Sequence, residues 1–186
     1  MRITQLALAL WLGGAVAQGS EPPRNLAVYV QVETPDRMTL VPLAKHLAGK
    51  MFAAIGVSVE WKATADGPAE PIFIEITSEA PEALMPGVLG YSVLHTSNRI
   101  TIFLSRIENM EIPATVLAHV MVHEITHVLQ GIGRHSETGV MQARWSGRDY
   151  CEMRRKPLPF APEDLDMIYE GLAKRQGLAG TLDLMP

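Results

Sequence analysis

Short apolar segments of two different periods alternate along most of this chain. Four of them are rich in β-branched residues and either alternate or run continuously apolar, which predicts strands at residues 25–32, 57–61, 72–76 and 99–104. From Leu40 to Ile55 the apolar residues follow helical spacing instead, and Gly56 marks the end of a predicted helix. With two further helices in the second half of the chain, this order predicts an α+β fold whose sheet lies on one side of a cleft.

The second half of the chain contains the most apolar of the predicted helices. Pro113 falls in its first turn, where a missing N–H does no harm, and Gly131 stands where a left-handed cap is expected. The residues between them are apolar nearly all round the helix and include neither glycine nor proline, so a buried helix is predicted. An amphipathic helix over residues 161–172 follows, with Pro162 and acidic residues in its first turn.

The buried helix carries the motif His123-Glu124-Ile125-Thr126-His127. Residues four apart lie on nearly the same helix face, so the imidazoles of His123 and His127 can bind one ion. Zinc accepts imidazole nitrogen at about 2.0–2.1 Å and prefers four neighbours, which leaves room for a third protein ligand and a water. Glu124 lies about 100° round the helix, beside that water, and is the predicted general base. The motif therefore predicts zinc-dependent hydrolysis.

The third zinc ligand must come from outside this helix. Gly131 and Gly133 allow a sharp turn, which can bring His135 back towards the metal. Glu152 and Glu163 are the alternatives, although acidic residues at the start of a helix are also explained by its dipole. We therefore prefer His135 as the third ligand.

Another histidine on the same helix face, His119, precedes His123 by four residues. Three ligands spread over two turns of one straight helix cannot readily converge on a single tetrahedral ion. His119 is therefore predicted to be structural, with a hydrogen bond to a carbonyl or a carboxylate.

Residues 123–141 resemble the metzincin class of zinc endopeptidases. In that class a glycine ends the active-site helix, a third histidine completes the zinc site, and a methionine in a tight turn lies beneath the ligands. The resemblance implies a catalytic base at Glu124 and a turn methionine at Met141. It implies three Zn²⁺ ligands, His123, His127 and His135. The helix-ending glycine and the third histidine come one and two residues later than in the usual pattern, so their connection follows a longer path.

The same resemblance implies a metzincin-like or zincin-like domain with a twisted mixed sheet, an active-site helix and a short C-terminal helical subdomain. It divides the domain into an upper subdomain, residues 18–133, and a lower one, residues 134–186. It also places the strand at 99–104 at the edge of the cleft, where it would pair with extended substrate. Tyr91 and His95, in the loose segment just before that strand, could then border the substrate groove.

The amino terminus has the three parts of a secretory signal peptide. Arg2 gives a positive start, residues 6–12 form a short apolar core, and small residues end at Ala17. Cleavage near Ala17 would remove residues 1–17 and leave residues 18–186 as a single domain in a secreted or periplasmic protein. The apolar core is shorter than the roughly 20 residues that a membrane helix needs, so no membrane association is expected after signal removal.

Composition narrows the range of partners. The chain of 186 residues carries a net charge of −4, which becomes −5 when Arg2 is removed, and it has no large basic cluster. A nucleic-acid partner is therefore not expected. The single cysteine excludes an internal disulfide, and we expect a monomer.

These features together predict a secreted zinc-dependent endopeptidase that acts on peptide or protein substrates through a metal-bound water activated by Glu124. Two alternatives are a non-catalytic, zinc-stabilised secreted binding domain and a gluzincin-like hydrolase with a glutamate as third ligand. Arg134, Arg144 and Tyr150 are the candidates for stabilising the tetrahedral intermediate, and the sequence does not decide among them.

Overall fold

The apolar segments of the first half of the chain form one sheet in the computed structural model, which describes residues 24–33, 39–64, 71–94 and 98–177. The strands are β1 (Arg24–Val32), β2 (Val57–Lys62), β3 (Ile72–Thr77), β4 (Gly90–Ser92) and β5 (Arg99–Phe103). Within the described residues their order is β2-β1-β3-β5-β4, with β4 antiparallel to β5 and the other neighbours parallel. Val30, Ile74 and Ile100 align across its centre.

Helices cover one face of this sheet. They are α1 (Val41–Ala53), α2 (Pro113–Gln130), α3 (Gly147–Met153) and α4 (Pro162–Arg175). Helix α1 packs on β2 and on α2, and α2 in turn contacts β3, β4, β5 and α4. Alternate residues of β3, namely Ile72, Ile74 and Ile76, are buried in the core shared with these helices. The predicted α+β fold is thus confirmed, with α2 at its centre.

Helix α2 begins and ends where the sequence predicts. Pro113 is in its first turn, and Gly131 caps it in the left-handed conformation with a φ of 67°. The Gly131 N–H donates to the carbonyl of His127 at 2.9 Å, which satisfies one of the last carbonyls of the helix. None of the helices that the structure describes combines the length and apolar character needed to cross a bilayer.

The edge of the sheet differs from the prediction. The segment 78–98, expected to be loose, contains β4, and β4 is the edge strand beside α2. The strand expected at the cleft edge is β5, which lies one position further inside. A strand of three residues that begins with glycine is too short to show alternation, so periodicity could not reveal it. Tyr91 lies on β4, whereas His95 falls outside the described residues.

Helix α3 was also not predicted. It begins with a capping box, in which the Asp149 carboxylate accepts the Ser146 N–H at 2.7 Å and the Ser146 hydroxyl accepts the Asp149 N–H at 3.4 Å. The spacing of serine and aspartate is a recognisable start signal. The predicted signal peptide, residues 1–17, lies outside the described residues, and the division between residues 133 and 134 stays a prediction.

Helix α4 lies unusually close to the end of α2. A Cβ atom added to the buried Gly171 would come within 1.9 Å of the Leu129 carbonyl oxygen, which is a backbone atom that cannot rotate away. Only a glycine allows the two helices to approach this closely.

Gly171→Ala is therefore expected to lower the free energy of unfolding by about 1–3 kcal/mol, because the added methyl forces the helices apart. Gly147→Ala is the matched control, since a methyl there meets nothing within 4 Å; its effect should stay within about 0.5 kcal/mol. Urea denaturation followed by circular dichroism measures both. Equal stability of the two variants would contradict the close approach of α2 and α4.

Candidate metal centre

Three imidazoles meet at the cleft side of α2. The ligand atoms of His123, His127 and His135 lie within 4.8 Å of one another. His123 and His127 come from successive turns of α2, and His135 comes from the loop that follows Gly131. The structure thus brings the three predicted ligands together; that they bind zinc stays a prediction.

Hydrogen bonds fix which nitrogen of each helix histidine faces the centre. His123 Nδ1 donates to the Val140 carbonyl at 2.9 Å, and His127 Nδ1 donates to the Ile132 carbonyl at 3.1 Å. With the protons on Nδ1, both Nε2 atoms are bare acceptors. The two Nε2 atoms are 3.1 Å apart, so two lone pairs face each other with no proton between them.

This arrangement fits a zinc ion. Two nitrogens bound to one tetrahedral zinc at about 2.0–2.1 Å would be about 3.3 Å apart, close to the observed separation. Neutral imidazoles oriented by a hydrogen bond from the other nitrogen are the usual form of histidine ligands. The donor set is therefore of the right type, in the right protonation state and at a suitable distance.

A lowered pKa favours the neutral form of these three histidines. The pKa of His123 is lowered to about 4, mainly by desolvation and to a smaller extent by the neighbouring imidazoles of His127 and His135. The hydrogen bond to Val140 opposes this effect. Desolvation also lowers the pKa of His127 and of His135. At neutral pH all three side chains are thus available as metal ligands without losing a proton first.

His119 has a different environment. Its Nδ1 donates to the Thr115 carbonyl at 2.8 Å, and its Nε2 accepts the Leu158 N–H at 3.1 Å. Both ring nitrogens have protein partners, and the side chain is buried. His119 is therefore structural, as predicted, and joins α2 to the segment that precedes α4.

Glu124 lies beside the histidines and is nearly buried, with 7% of its surface exposed. The pKa of this carboxyl is raised to about 7, because desolvation outweighs the opposing effect of a hydrogen bond with Ser92 of β4. A group that gains and loses a proton near neutral pH suits general acid–base chemistry. Ser92 was not singled out from the sequence, because its contact with Glu124 exists only once β4 packs on α2.

The loop after α2 returns beneath the histidines through a tight turn. Gly139 adopts a φ of 80°, and a Cβ there would lie 2.2 Å from the Pro159 carbonyl oxygen. The Ser136 N–H donates to the Met141 carbonyl at 2.9 Å, which closes the turn, and Met141 is fully buried. Val140, which lies between Gly139 and Met141, supplies the carbonyl that orients His123.

The cleft above these residues has a volume of about 710 Å³ and is lined by the 85–92 segment, the histidines and the 142–145 loop. Arg106 holds the first of these walls in place. Its guanidinium donates to the backbone carbonyls of Leu84 at 3.2 Å, Met85 at 2.7 Å and Val88 at 2.5 Å. One side chain therefore tethers three carbonyls at the start of this rim, while the pairing of β4 with β5 holds its other end.

The structure also locates the other residues that the sequence offered as a third ligand or as the group that stabilises the tetrahedral intermediate. Among the described residues, neither Glu152 nor Glu163 joins the histidine cluster. Arg144 and Tyr150 line the cleft, and burial raises the pKa of Tyr150. Arg134 instead forms an ion pair with Asp164 at 3.0 Å and is not among the residues that line the cleft.

Comparison of the whole fold with solved structures adds an independent observation. The chain is similar to archaemetzincin from Methanopyrus kandleri, with a TM-score of 0.55, 15% sequence identity, and coverage of 85% of this chain and 99% of that one. The fold is metzincin-like. A second similar structure is myroilysin, with a TM-score of 0.40, 14% identity, and coverage of 80% of this chain and 75% of that one. No family model and no curated protein matches the sequence.

The histidine cluster predicts the outcome of removing the third ligand. His135→Ala should weaken zinc binding by more than about 100-fold, because even residues that only support metal ligands typically contribute 10- to 100-fold. Glu152→Gln and Glu163→Gln should leave it unchanged. Competition with a chromophoric chelator measures all three dissociation constants. The opposite pattern would make a glutamate the third ligand.

The three bonds of Arg106 predict the behaviour of the cleft rim. In Arg106→Gln the amides of Leu84 and Val88 should exchange hydrogen at least about tenfold faster, since one lost bond to a charged group corresponds to about 1.5 kcal/mol. The exposed Arg155, changed to Gln, is the control. Unchanged exchange in Arg106→Gln would show that the rim is held by other contacts.

Proposed function

We propose that this protein is a zinc-dependent endopeptidase. The observation that carries the proposal is the convergence of three neutral imidazoles, with two bare Nε2 atoms 3.1 Å apart, beside a carboxyl whose pKa is raised to about 7. The sequence resemblance to metzincins and the metzincin-like fold support the same reading.

The proposed ligands of the metal are His123, His127 and His135. The chemistry that zinc supplies when bound is Lewis acidity, which polarises a peptide carbonyl and makes water more acidic. The Glu124 carboxylate takes a proton from the water whose oxygen attacks the carbonyl carbon. It then delivers that proton to the amide nitrogen as the C–N bond breaks, so a carboxylate and an amine leave.

The walls of the cleft suggest how a peptide would be held. Strand β4 has a free edge within the described sheet, and its residues Gly90, Tyr91 and Ser92 line the cleft. An extended peptide can pair with such an edge through backbone hydrogen bonds, which gives binding with little sequence selectivity. Ser92, which shares a hydrogen bond with the Glu124 carboxyl, would then belong to the strand that binds the peptide.

The cellular setting is proposed from the sequence alone. The pattern of residues 1–17 favours a secreted or periplasmic protein, and the charge and composition favour a monomer that acts on peptides or proteins. The non-catalytic, zinc-binding alternative shares the metal site and differs only in the role of Glu124.

Glu124→Gln separates these two functions. The variant should bind zinc as tightly as the wild type and hydrolyse peptides at least about 100-fold more slowly, because the base is lost while the ligands remain. Metal analysis and the hydrolysis of a mixed peptide library measure the two properties. Glu137→Gln, an exposed glutamate on the same loop as His135, is the control and should behave as wild type. Full activity in Glu124→Gln would exclude the mechanism.

A further inference from the structure

The third histidine of the cluster is held differently from the other two. His123 and His127 are fixed by α2 and by hydrogen bonds from Nδ1 to backbone carbonyls. His135 is exposed and lies on a loop. Within the part of the chain that the structure describes, its imidazole contacts the rings of His123 and His127 and makes no hydrogen bond. Its position must therefore be set by its neighbours in the chain.

Both of those neighbours bind the same carboxylate. Arg134 Nη2 donates to Asp164 Oδ1 at 3.0 Å, and the Ser136 hydroxyl lies 2.8 Å from Oδ1 and 2.9 Å from Oδ2. Asp164 is 1% exposed and Ser136 is 6% exposed, so this contact is shielded from water. With the residues on either side held, His135 keeps little freedom beyond its own side-chain torsions.

Asp164 is itself anchored to both helices that flank the loop. It lies in the first turn of α4, where its carboxylate accepts the Ala161 N–H at 3.3 Å. The side chain of Gln130, the last residue of α2, donates to Asp164 Oδ1 at 3.2 Å. The oxygen of that amide is buried without a partner among the described residues. The hydrogen bond to Asp164 is therefore the contact that orients the Gln130 amide. The carboxylate thus connects α2, the His135 loop and α4.

We propose that Asp164 is the positioning residue of the third zinc ligand: by holding Arg134 and Ser136 it places His135 within reach of His123 and His127. The inference rests on the zinc site of the proposed function and does not require peptide hydrolysis. In this role Asp164 acts through His135 and is not itself a member of the histidine cluster. Its charge also raises the pKa of His123 and His127, an effect that a variant of Ser136 leaves in place.

Ser136→Ala is the decisive variant, because it removes the bond to Asp164 and leaves every charge in place. We expect its zinc dissociation constant to rise by about 10- to 100-fold, as for other residues that orient metal ligands. Asp164→Asn should weaken zinc binding at least as much, and its melting temperature without metal shows whether it still folds. Ser146→Ala is the matched control, since its hydroxyl makes the same type of bond to Asp149 at 2.6 Å but on α3, and it should bind zinc as the wild type does.

A double-mutant cycle separates positioning from a general loss of structure. If Ser136 acts through His135, then adding Ser136→Ala to His135→Ala should change the zinc dissociation constant by less than about twofold. The visible spectrum of the cobalt(II)-substituted Ser136→Ala protein should likewise shift towards that of His135→Ala, because a ligand is displaced.

Three results would overturn the inference. The first is wild-type zinc affinity in Ser136→Ala, and the second is an equal loss of affinity in the presence and absence of His135. The third is a wild-type protein that binds no zinc, which would remove the metal site and the proposed function together. The first two would leave the proposed function untouched.

Discussion

The candidate site depends on the requirement that imidazole nitrogens on a buried helix must have partners. Three histidines of α2 share one face, yet their partners differ. His119 has a partner for each nitrogen, and both partners are backbone groups. His123 and His127 have a backbone carbonyl at Nδ1 only, so their Nε2 atoms are left facing each other. All three donate Nδ1 to a carbonyl, so one backbone N–H, that of Leu158, distinguishes the structural His119 from the two histidines whose Nε2 atoms stay available to a metal.

Much of the fold could be predicted because its signals are local. The apolar periods predicted β1, β2, β3, β5 and the helices α1, α2 and α4 within a few residues, and Gly131 predicted the end of α2. Strand β4 could not be found this way, because three residues show no period and its pairing with β5 is its only reason to be extended. Helix α3 had a local signal, the spacing of Ser146 and Asp149.

The residues of the candidate site show the same difference between local signals and tertiary contacts. The sequence could propose His123, Glu124 and His127 because helix geometry alone places them together, and glycines beyond the helix favoured His135. It could not show the Val140 carbonyl, Ser92 or the second role of Asp164, because each depends on a partner brought close by tertiary folding. Asp164 is instructive, since its place in the first turn of α4 gave a sufficient local explanation that concealed the tertiary one.

The close approach of α4 to α2 also affects where Asp164 lies relative to the His135 loop. Gly171 lies seven residues after Asp164, about two turns and 10 Å along the same face of α4. Its contact with the Leu129 carbonyl opposes sliding of α4 along α2, because a shift would bring a residue that carries a Cβ atom against that carbonyl. The contact therefore sets the axial register of α4 on α2. Through that register, Gly171, which has no side chain, determines how far the Asp164 carboxylate two turns away extends towards the loop of His135.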